Sequence, residues 1–371
     1  MIHVMTVVGT RPELIRLSVL IPKLDKWFKH TLVHTGQNYD FELNQVFFED
    51  LTLRQPDVHL DAAGKNYAET IAGILLKGDE LLRQKKPDAI LILGDTNSAL
   101  IAIVAKRQGI PIFHMEAGNR CFNSEVPEEI NRKIVDHIAD VNLPYSRIAR
   151  EYLLREGVHP QSIICTGSPM KEVLERFAEK TSRSDVLGRL NIKKDSFFLV
   201  SCHREENVDS IEELRSFVEL LRWLIDRFQL PVVLSAHPRT RSRLERYGFQ
   251  TPSGVQLMPP FSFTDYVKLQ TDSYVVLSDS GTITEEAALL RFRAINIRRS
   301  HERPEGMEAG VLPLCGFSKE KIEAGIALAT SEDGIHRQSY NVPTDYVRSD
   351  CSNIVINAIL SYYKNSTHLA K

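Results

Sequence analysis

Three carboxylates in the first half of this 371-residue chain stand where proton transfer could be done. Asp95 lies in Gly94-Asp95-Thr96-Asn97-Ser98, directly after the apolar run 89–93. Glu116 follows the apolar run 112–115 with no spacer, and a charged group in such a place needs a partner. Glu128 lies in Val126-Pro127-Glu128-Glu129. Plainer roles compete: a helix N-cap for Asp95, and pairing of Glu128 and Glu129 with Arg132 and Lys133 one helical turn on. Gly9-Thr10-Arg11-Pro12-Glu13 closes the first apolar run, with Gly9 suited to a tight turn and Pro12 to the start of a helix. Arg11 and Arg16 then point toward the same mouth, unless Arg16 is a surface helix residue.

The second half is rich in groups that suit phosphate. Ser278-Asp279-Ser280-Gly281-Thr282 follows an apolar run and opens a helix. A helix N-terminus offers unpaired N–H groups and partial positive charge, Ser280 and Thr282 add hydroxyls, and Gly281 lets an anion approach the backbone. Glu286, about one turn in, could accept from ribose hydroxyls. The alternative is an ordinary N-cap with acidic first-turn residues. His203 and Arg204 end another run, and His237 and Arg303 end two more. Several cations around one mouth favour a diphosphate over separate surface roles. Arg298 and Arg299 read as a solvated basic turn. Neither the dinucleotide fingerprint nor the ATP P-loop occurs, so neither NAD nor ATP is supported. No metal set is expected.

These clusters must be carried by something regular. Apolar runs at 3–8, 89–93, 112–115, 141–143, 163–165, 197–202, 232–234, 274–277 and 294–297 each end in a polar or glycine-containing group. Continuous apolar runs are the mark of parallel strands buried on both faces, and ligands sit beyond the carboxyl ends of such strands. Helical patterns separate them. Residues 12–28 carry Leu17, Leu20, Ile21 and Leu24. Residues 67–84 carry Ile71, Ile74, Leu75, Leu81 and Leu82. Residues 127–139 set Ile130, Ile134 and Ile138 at the spacing of a buried stripe. Strand–helix alternation predicts α/β domains with parallel sheets.

The alternation breaks over the polar stretch 179–196. Two Rossmann-like domains facing a cleft are expected: an N-terminal domain over 1–170, joined by a C-terminal helix (about 350–371) that packs back on it, and a second domain over 171–349. A chain of this length can hold two cores. A hydrophobic content of 43%, a charged content of 25% and a net charge of -2 are ordinary for a globular protein and give no general pull toward nucleic acid or an anionic membrane. No run approaches the ~18 apolar residues of a membrane span. A strand begins by residue 3, so no signal peptide is expected. The five cysteines are scattered, as in a reducing cytoplasm.

Taken in order, Gly9-Thr10-Arg11-Pro12-Glu13, Gly94-Asp95-Thr96, Glu116-Ala117-Gly118, Pro127-Glu128-Glu129, His203-Arg204-Glu205, Asp279-Ser280-Gly281 and Glu302-Arg303-Pro304-Glu305 resemble the non-hydrolysing UDP-N-acetylglucosamine 2-epimerase family. The resemblance implies a GT-B-like fold, a homodimer, a UDP-amino sugar substrate and no redox cofactor. By the same likeness, UDP contacts fall to Arg11, His203, Ser280, Gly281, Thr282, Glu286 and Arg303, with Tyr266 near the uracil and His237 near the cleft. Asp95, Glu116 and Glu128 match the catalytic carboxylates, and His203 is counted with them. Ile15-Arg16-Leu17-Ser18, His34-Thr35-Gly36-Gln37-Asn38-Tyr39 and Asn119-Arg120-Cys121-Phe122 look like the UDP-N-acetyl-L-fucosamine synthase branch, which serves capsule and O-antigen pathways. The glucosamine enzymes generally have Lys at the place of Arg16, and Gln-His where this chain has Gln37-Asn38. A GT-B glycosyltransferase and an inactive nucleotide-sugar sensor share the nucleotide-binding features and are the competing readings.

Overall fold

Apolar runs become parallel strands here because each is sealed on both faces by helices. The structure, a computed structural model, describes residues 1–36, 47–123, 126–300, 302–331 and 341–364. Gln37, Asn38, Tyr39 and the tail after Lys364 lie outside the described residues. The chain forms two compact units, one of residues 1–176 with 344–371, the other of residues 177–343.

The first unit holds β1 (His3–Val8), β2 (Lys29–His34), β3 (Val58–His59), β4 (Ala89–Leu93), β5 (Ile112–Met115) and β6 (Val141–Leu143), in the order β3-β2-β1-β4-β5-β6. All the pairings are parallel. Met5, Val7, Ile90, Ile92 and Ile112 pack with Ile74, Leu82 and Ile101 from the covering helices. Each such side chain taken from water stabilises the fold by roughly 1.5–3 kcal/mol. The second unit holds β7 (Phe198–Ser201), β8 (Val232–Ser235), β9 (Val255–Met258), β10 (Val275–Ser278) and β11 (Ala294–Asn296), ordered β11-β10-β7-β8-β9 and again all parallel. Its core joins Phe198, Val200, Leu234 and Leu277 to Leu214, Phe217 and Leu221 of helix Ile211–Phe228.

The C-terminal helix, Cys351–Tyr362, belongs to the first unit. It buries Val355, Ile356 and Ile359, and Lys23 Nζ reaches Ser352 Oγ at 2.5 Å and Asn353 Oδ1 at 2.9 Å. Glu172 accepts from the Ser352 N–H at 3.1 Å.

The structure corrects several expectations. Residues 12–28 form two helices, Arg11–Leu17 and Leu20–Trp27; Ser18 turns its hydroxyl back onto the Ile15 carbonyl at the break. Residues 163–165 are not a strand: Ile163 makes a single bridge to Asn142. The polar stretch 179–196 contains the end of helix Met170–Ser182 and the short helix Val186–Leu190. The stripe on helix Pro127–Ile138 is reversed. Ile130 and Ile134 are 52% and 38% exposed, while Glu129, Asn131, Arg132, Val135 and Asp136 are buried. Polar residues face inward there because their partners lie inside, at the ends of β4 and β5.

The turn after β5 passes through left-handed backbone at Glu116 (φ 63) and Gly118 (φ 77). A Cβ on Gly118 would lie 2.3 Å from the Ala149 carbonyl oxygen, which is backbone and cannot step aside. We predict that Gly118→Ala lowers unfolding stability by about 3 kcal/mol, from overpacking together with the left-handed strain. Urea unfolding should show a lower midpoint with an unchanged slope; a midpoint within error of the parent would contradict this account of the turn.

Candidate functional site

Beyond β1 the chain turns sharply into helix Arg11–Leu17, and Glu13 holds that turn. Its carboxylate accepts from the N–H groups of Gly9 (2.5 Å) and Thr10 (2.7 Å) and from Thr96 Oγ1 (2.7 Å). Burial pushes the Glu13 carboxyl up despite these donors. Gly9 is needed for closeness: a Cβ would lie 1.9 Å from Ser98 Oγ. This turn sets Arg11 over the ring of Phe47 (5.3 Å) and sends Arg16 inward. Arg16 is thus a buried residue that pairs with Glu116 and lies 5.7 Å from the Tyr145 ring centre.

Glu116 is therefore a buried carboxylate in left-handed backbone, held by Arg16 and by Asn119 Nδ2 at 3.3 Å. Asp95, at the end of β4, pairs with Arg132, whose other nitrogen donates to the Asn119 carbonyl at 3.1 Å. Asn131 ties down the same turn through the Asp95 carbonyl (3.0 Å) and Asn97 Oδ1 (3.2 Å). The structure thus joins Asp95 to Glu116 through Arg132 and Asn119. Glu128 stands half-buried on the first turn of helix Pro127–Ile138. Glu129 pairs with Arg132 and Lys133, at 3.6 Å to each. An arginine beside a carboxylate favours its ionised form, the one that accepts a proton.

In the second unit, Asp279 at the end of β10 is the hub. Its carboxylate accepts from the N–H groups of His203 and Arg204, both at 2.9 Å, and from Asn207 Nδ2 at 3.0 Å. His203 Nδ1 lies 3.0 Å from its other oxygen. Burial alone would raise this carboxyl, but His203 and the N–H donors hold it well below the usual carboxylate range. His203 and His237 have ring centres 6.1 Å apart. His237 Nδ1 accepts from the Arg239 N–H at 3.2 Å, capping helix Pro238–Arg246.

Ser280 Oγ and Thr282 Oγ1 lie 2.9 Å apart at the start of helix Ile283–Leu290, whose N-cap Thr282 makes no side-chain capping bond. A Cβ on Gly281 would meet only the side-chain ends of Arg204 and Glu302, at 3.6 Å. Packing within the chain leaves such a Cβ in ordinary contact and does not demand glycine there. Glu286 accepts from Gln270 Nε2 at 2.6 Å. The Tyr266 hydroxyl bonds with Ser201 and Ser278, and burial next to Glu286 pushes it up. Arg303 is buried and donates to Glu285 at 2.7 Å.

The solvated basic turn expected at Arg298 is wrong. Arg298 is 1% exposed and makes hydrogen bonds to Glu206 (3.3 Å) and Glu302 (3.1 and 3.2 Å), because an arginine enclosed at a strand end needs carboxylate partners. Arg299 is exposed and pairs with Glu213. Sequence reasoning gave no role of their own to Glu13, His114, Arg120, Asp136, Glu285 and Glu302. The available signal for His114 was a titratable residue in the middle of an apolar run.

Two parallel-sheet α/β domains with charged and hydroxyl residues gathered at their strand ends define a GT-B-like enzyme fold. The chain belongs to the UDP-N-acetylglucosamine 2-epimerase family, whose model matches residues 23–360, and is an isomerase. The structure of a UDP-N-acetylglucosamine 2-epimerase from Rickettsia bellii is similar, with a TM-score of 0.90 and 47% identity, covering 98% of this chain and 97% of that one. The Methanocaldococcus jannaschii UDP-GlcNAc 2-epimerase, solved in complex with UDP-GlcNAc and UDP, has a TM-score of 0.89 and 30% identity, covering 97% and 100%. A UDP-2,3-diacetamido-2,3-dideoxy-D-glucuronate 2-epimerase of Pseudomonas aeruginosa is 33% identical over 86% of this chain and 90% of its own length. Among the described residues, no helix is long and apolar enough to cross a membrane.

Because the Asp279 carboxyl is depressed in the fold, its stabilisation is present above the unfolded-state value near ~4 and is lost as pH falls through the folded value. We predict that Asp279→Asn costs about 2 kcal/mol at neutral pH. The gap to the parent should close as pH drops below about 4 in denaturant titrations. A gap that stays constant or widens in acid would contradict this role.

Proposed function

We propose that this chain inverts C2 of a UDP-2-acetamido sugar by releasing and re-adding UDP, and that its substrate is UDP-2-acetamido-2,6-dideoxy-L-talose, giving UDP-N-acetyl-L-fucosamine. One observation carries the reading. Two of the residues within the segments that carry the branch resemblance, Arg16 and Asn119, both touch Glu116. A change in that pair alters how the carboxylate meets a sugar ring.

The chemistry follows from the problem posed by C2. No carbonyl acidifies its proton. Cleavage of the C1–O bond gives both electrons to the UDP oxygen and builds positive charge at C1, which makes the neighbouring C2–H acidic. A carboxylate takes that proton, and the C–H electron pair becomes the C1=C2 bond of a glycal. A proton delivered to the other face of C2, with return of UDP oxygen to C1, completes the inversion. Two faces require more than one proton carrier, and Asp95, Glu116 and Glu128 fill those roles. His203, the Ser280-Gly281-Thr282 turn, Arg11 and Arg303 hold the diphosphate, and their donors stabilise the charge on departing UDP. Tyr266 and Glu286 take the uridine, and His237 stands with the diphosphate group.

The reading carries with it a homodimer in the cytoplasm, supplying capsule or O-antigen synthesis. Five free cysteines fit a reducing compartment. Exposed Tyr67, Leu76, Ile130 and Ile134 on the first unit's helices offer apolar surface to a second copy. The second reading, epimerisation of UDP-N-acetylglucosamine, is favoured by the Methanocaldococcus jannaschii complex with that sugar.

Purified protein given the 6-deoxy-L-talose substrate without acceptor, in deuterium oxide, is expected to yield the C2 epimer with deuterium at C2. UDP-N-acetylglucosamine in its place should be turned over far more slowly; the reverse preference would establish the second reading. Asp95→Asn, Glu116→Gln and Glu128→Gln should each lower turnover by about 100-fold or more while leaving UDP binding nearly unchanged. Near-parental turnover in all three would remove them from the mechanism.

A further inference from the structure

His114 lies within β5 and is fully buried. Its Nε2 is 2.8 Å from the Gly94 carbonyl oxygen, and its Nδ1 is 2.8 Å from Asp136 Oδ1. A carbonyl oxygen has no proton to give, so Nε2 must carry one. Asp136 also accepts from Arg120 Nη1 at 2.7 Å and from the Gly118 N–H at 3.1 Å. A carboxylate surrounded by donors is ionised, so Nδ1 must donate to it as well. Only the charged ring donates from both nitrogens.

We infer that His114 is a buried imidazolium whose charge pins together the two turns that carry Asp95 and Glu116. The groups facing it come from every side. Gly94 O belongs to the turn of Asp95, and Asp136 to helix Pro127–Ile138. Asp136 holds Gly118 and Arg120 of the turn after Glu116. Arg120 in turn donates to Glu156 at 2.9 and 2.6 Å and to the Asn119 carbonyl at 2.8 Å. Two cations and two anions thus alternate, Glu156–Arg120–Asp136–His114, which is how a buried charge cluster avoids an uncompensated member. The chain of bonds ends on the peptide carbonyl just before Asp95. His114 is a positioning residue: neutral, it would lose one of its two anchors, and either the Asp95 turn or the helix would be released.

The positioning role rests on Asp95 and Glu116 being the reacting carboxylates; the charge state does not. Nitrogen-15 NMR of the full chain labelled at histidine, with His114 assigned from the His114→Gln variant, should show a proton on each ring nitrogen at neutral pH. A single protonated nitrogen on His114 would overturn the inference. Asp136→Asn is expected to leave one ring nitrogen of His114 without its proton and to lower kcat by about ten- to a hundred-fold with KM little changed. Asp136→Glu should recover part of the loss. Parental kcat in Asp136→Asn would overturn the positioning role. If that variant does not fold, the parent spectrum still decides the charge. Full turnover in Asp95→Asn and Glu116→Gln would instead sink the proposed reaction while leaving the His114 result standing.

Discussion

A charged side chain taken out of water must be met by an opposite charge, and this requirement organises both units. In the first, Arg16 meets Glu116, Arg132 meets Asp95, and Asp136 is held between His114 and Arg120. In the second, Asp279 meets His203, Glu285 meets Arg303, and Glu302 meets Arg298. Removing one partner of a pair buried on both sides costs roughly 3–5 kcal/mol, because the other is left uncompensated, and less where one partner, as His203, is partly exposed. The pairs therefore fix the loops at the strand ends far more tightly than loop sequence alone would. They also turn helix Pro127–Ile138 so that its polar side faces the sheet.

Much of this was legible in the sequence, for a physical reason. Strands buried on both faces are uniformly apolar, so β1, β4, β5, β7 and β10 stand out, and the polar groups after them mark the site. β2 was hidden because it starts with Lys29 and His30 at the exposed end of the strand. β9, on the edge of its sheet, is only partly buried and carries Gln256. The failures at Ile130 and Ile134 share one cause with the failure at Arg298. Apolar periodicity assumes that burial follows hydrophobicity, whereas a charge paired inside is as enclosed as a leucine. Glu116 was readable because a carboxylate directly after an apolar strand has nowhere else to go. Arg16 was expected to point toward the same mouth, but spacing could not pair it with Glu116, since a hundred residues separate the two.

The same pairs serve the chemistry proposed for the chain. Carboxylates beside arginines are kept as proton acceptors, and their positions are set by side chains that are themselves locked. Serine and threonine hydroxyls and a glycine at a helix start suit an anion whose charge grows as a bond breaks. Both demands, a base ready at one carbon and relief of charge on a leaving diphosphate, belong to one event. That event is departure of the nucleotide from the sugar ring and its return.

Whether this bond breaks can be read directly by positional isotope exchange. A UDP-sugar substrate carrying oxygen-18 in the bridge between C1 and the β-phosphorus would be incubated with the enzyme and recovered during turnover. The account predicts that the label moves into the non-bridging β-phosphate oxygens as the C2 epimer appears. Inversion at C2 with the label confined to the bridge would contradict it.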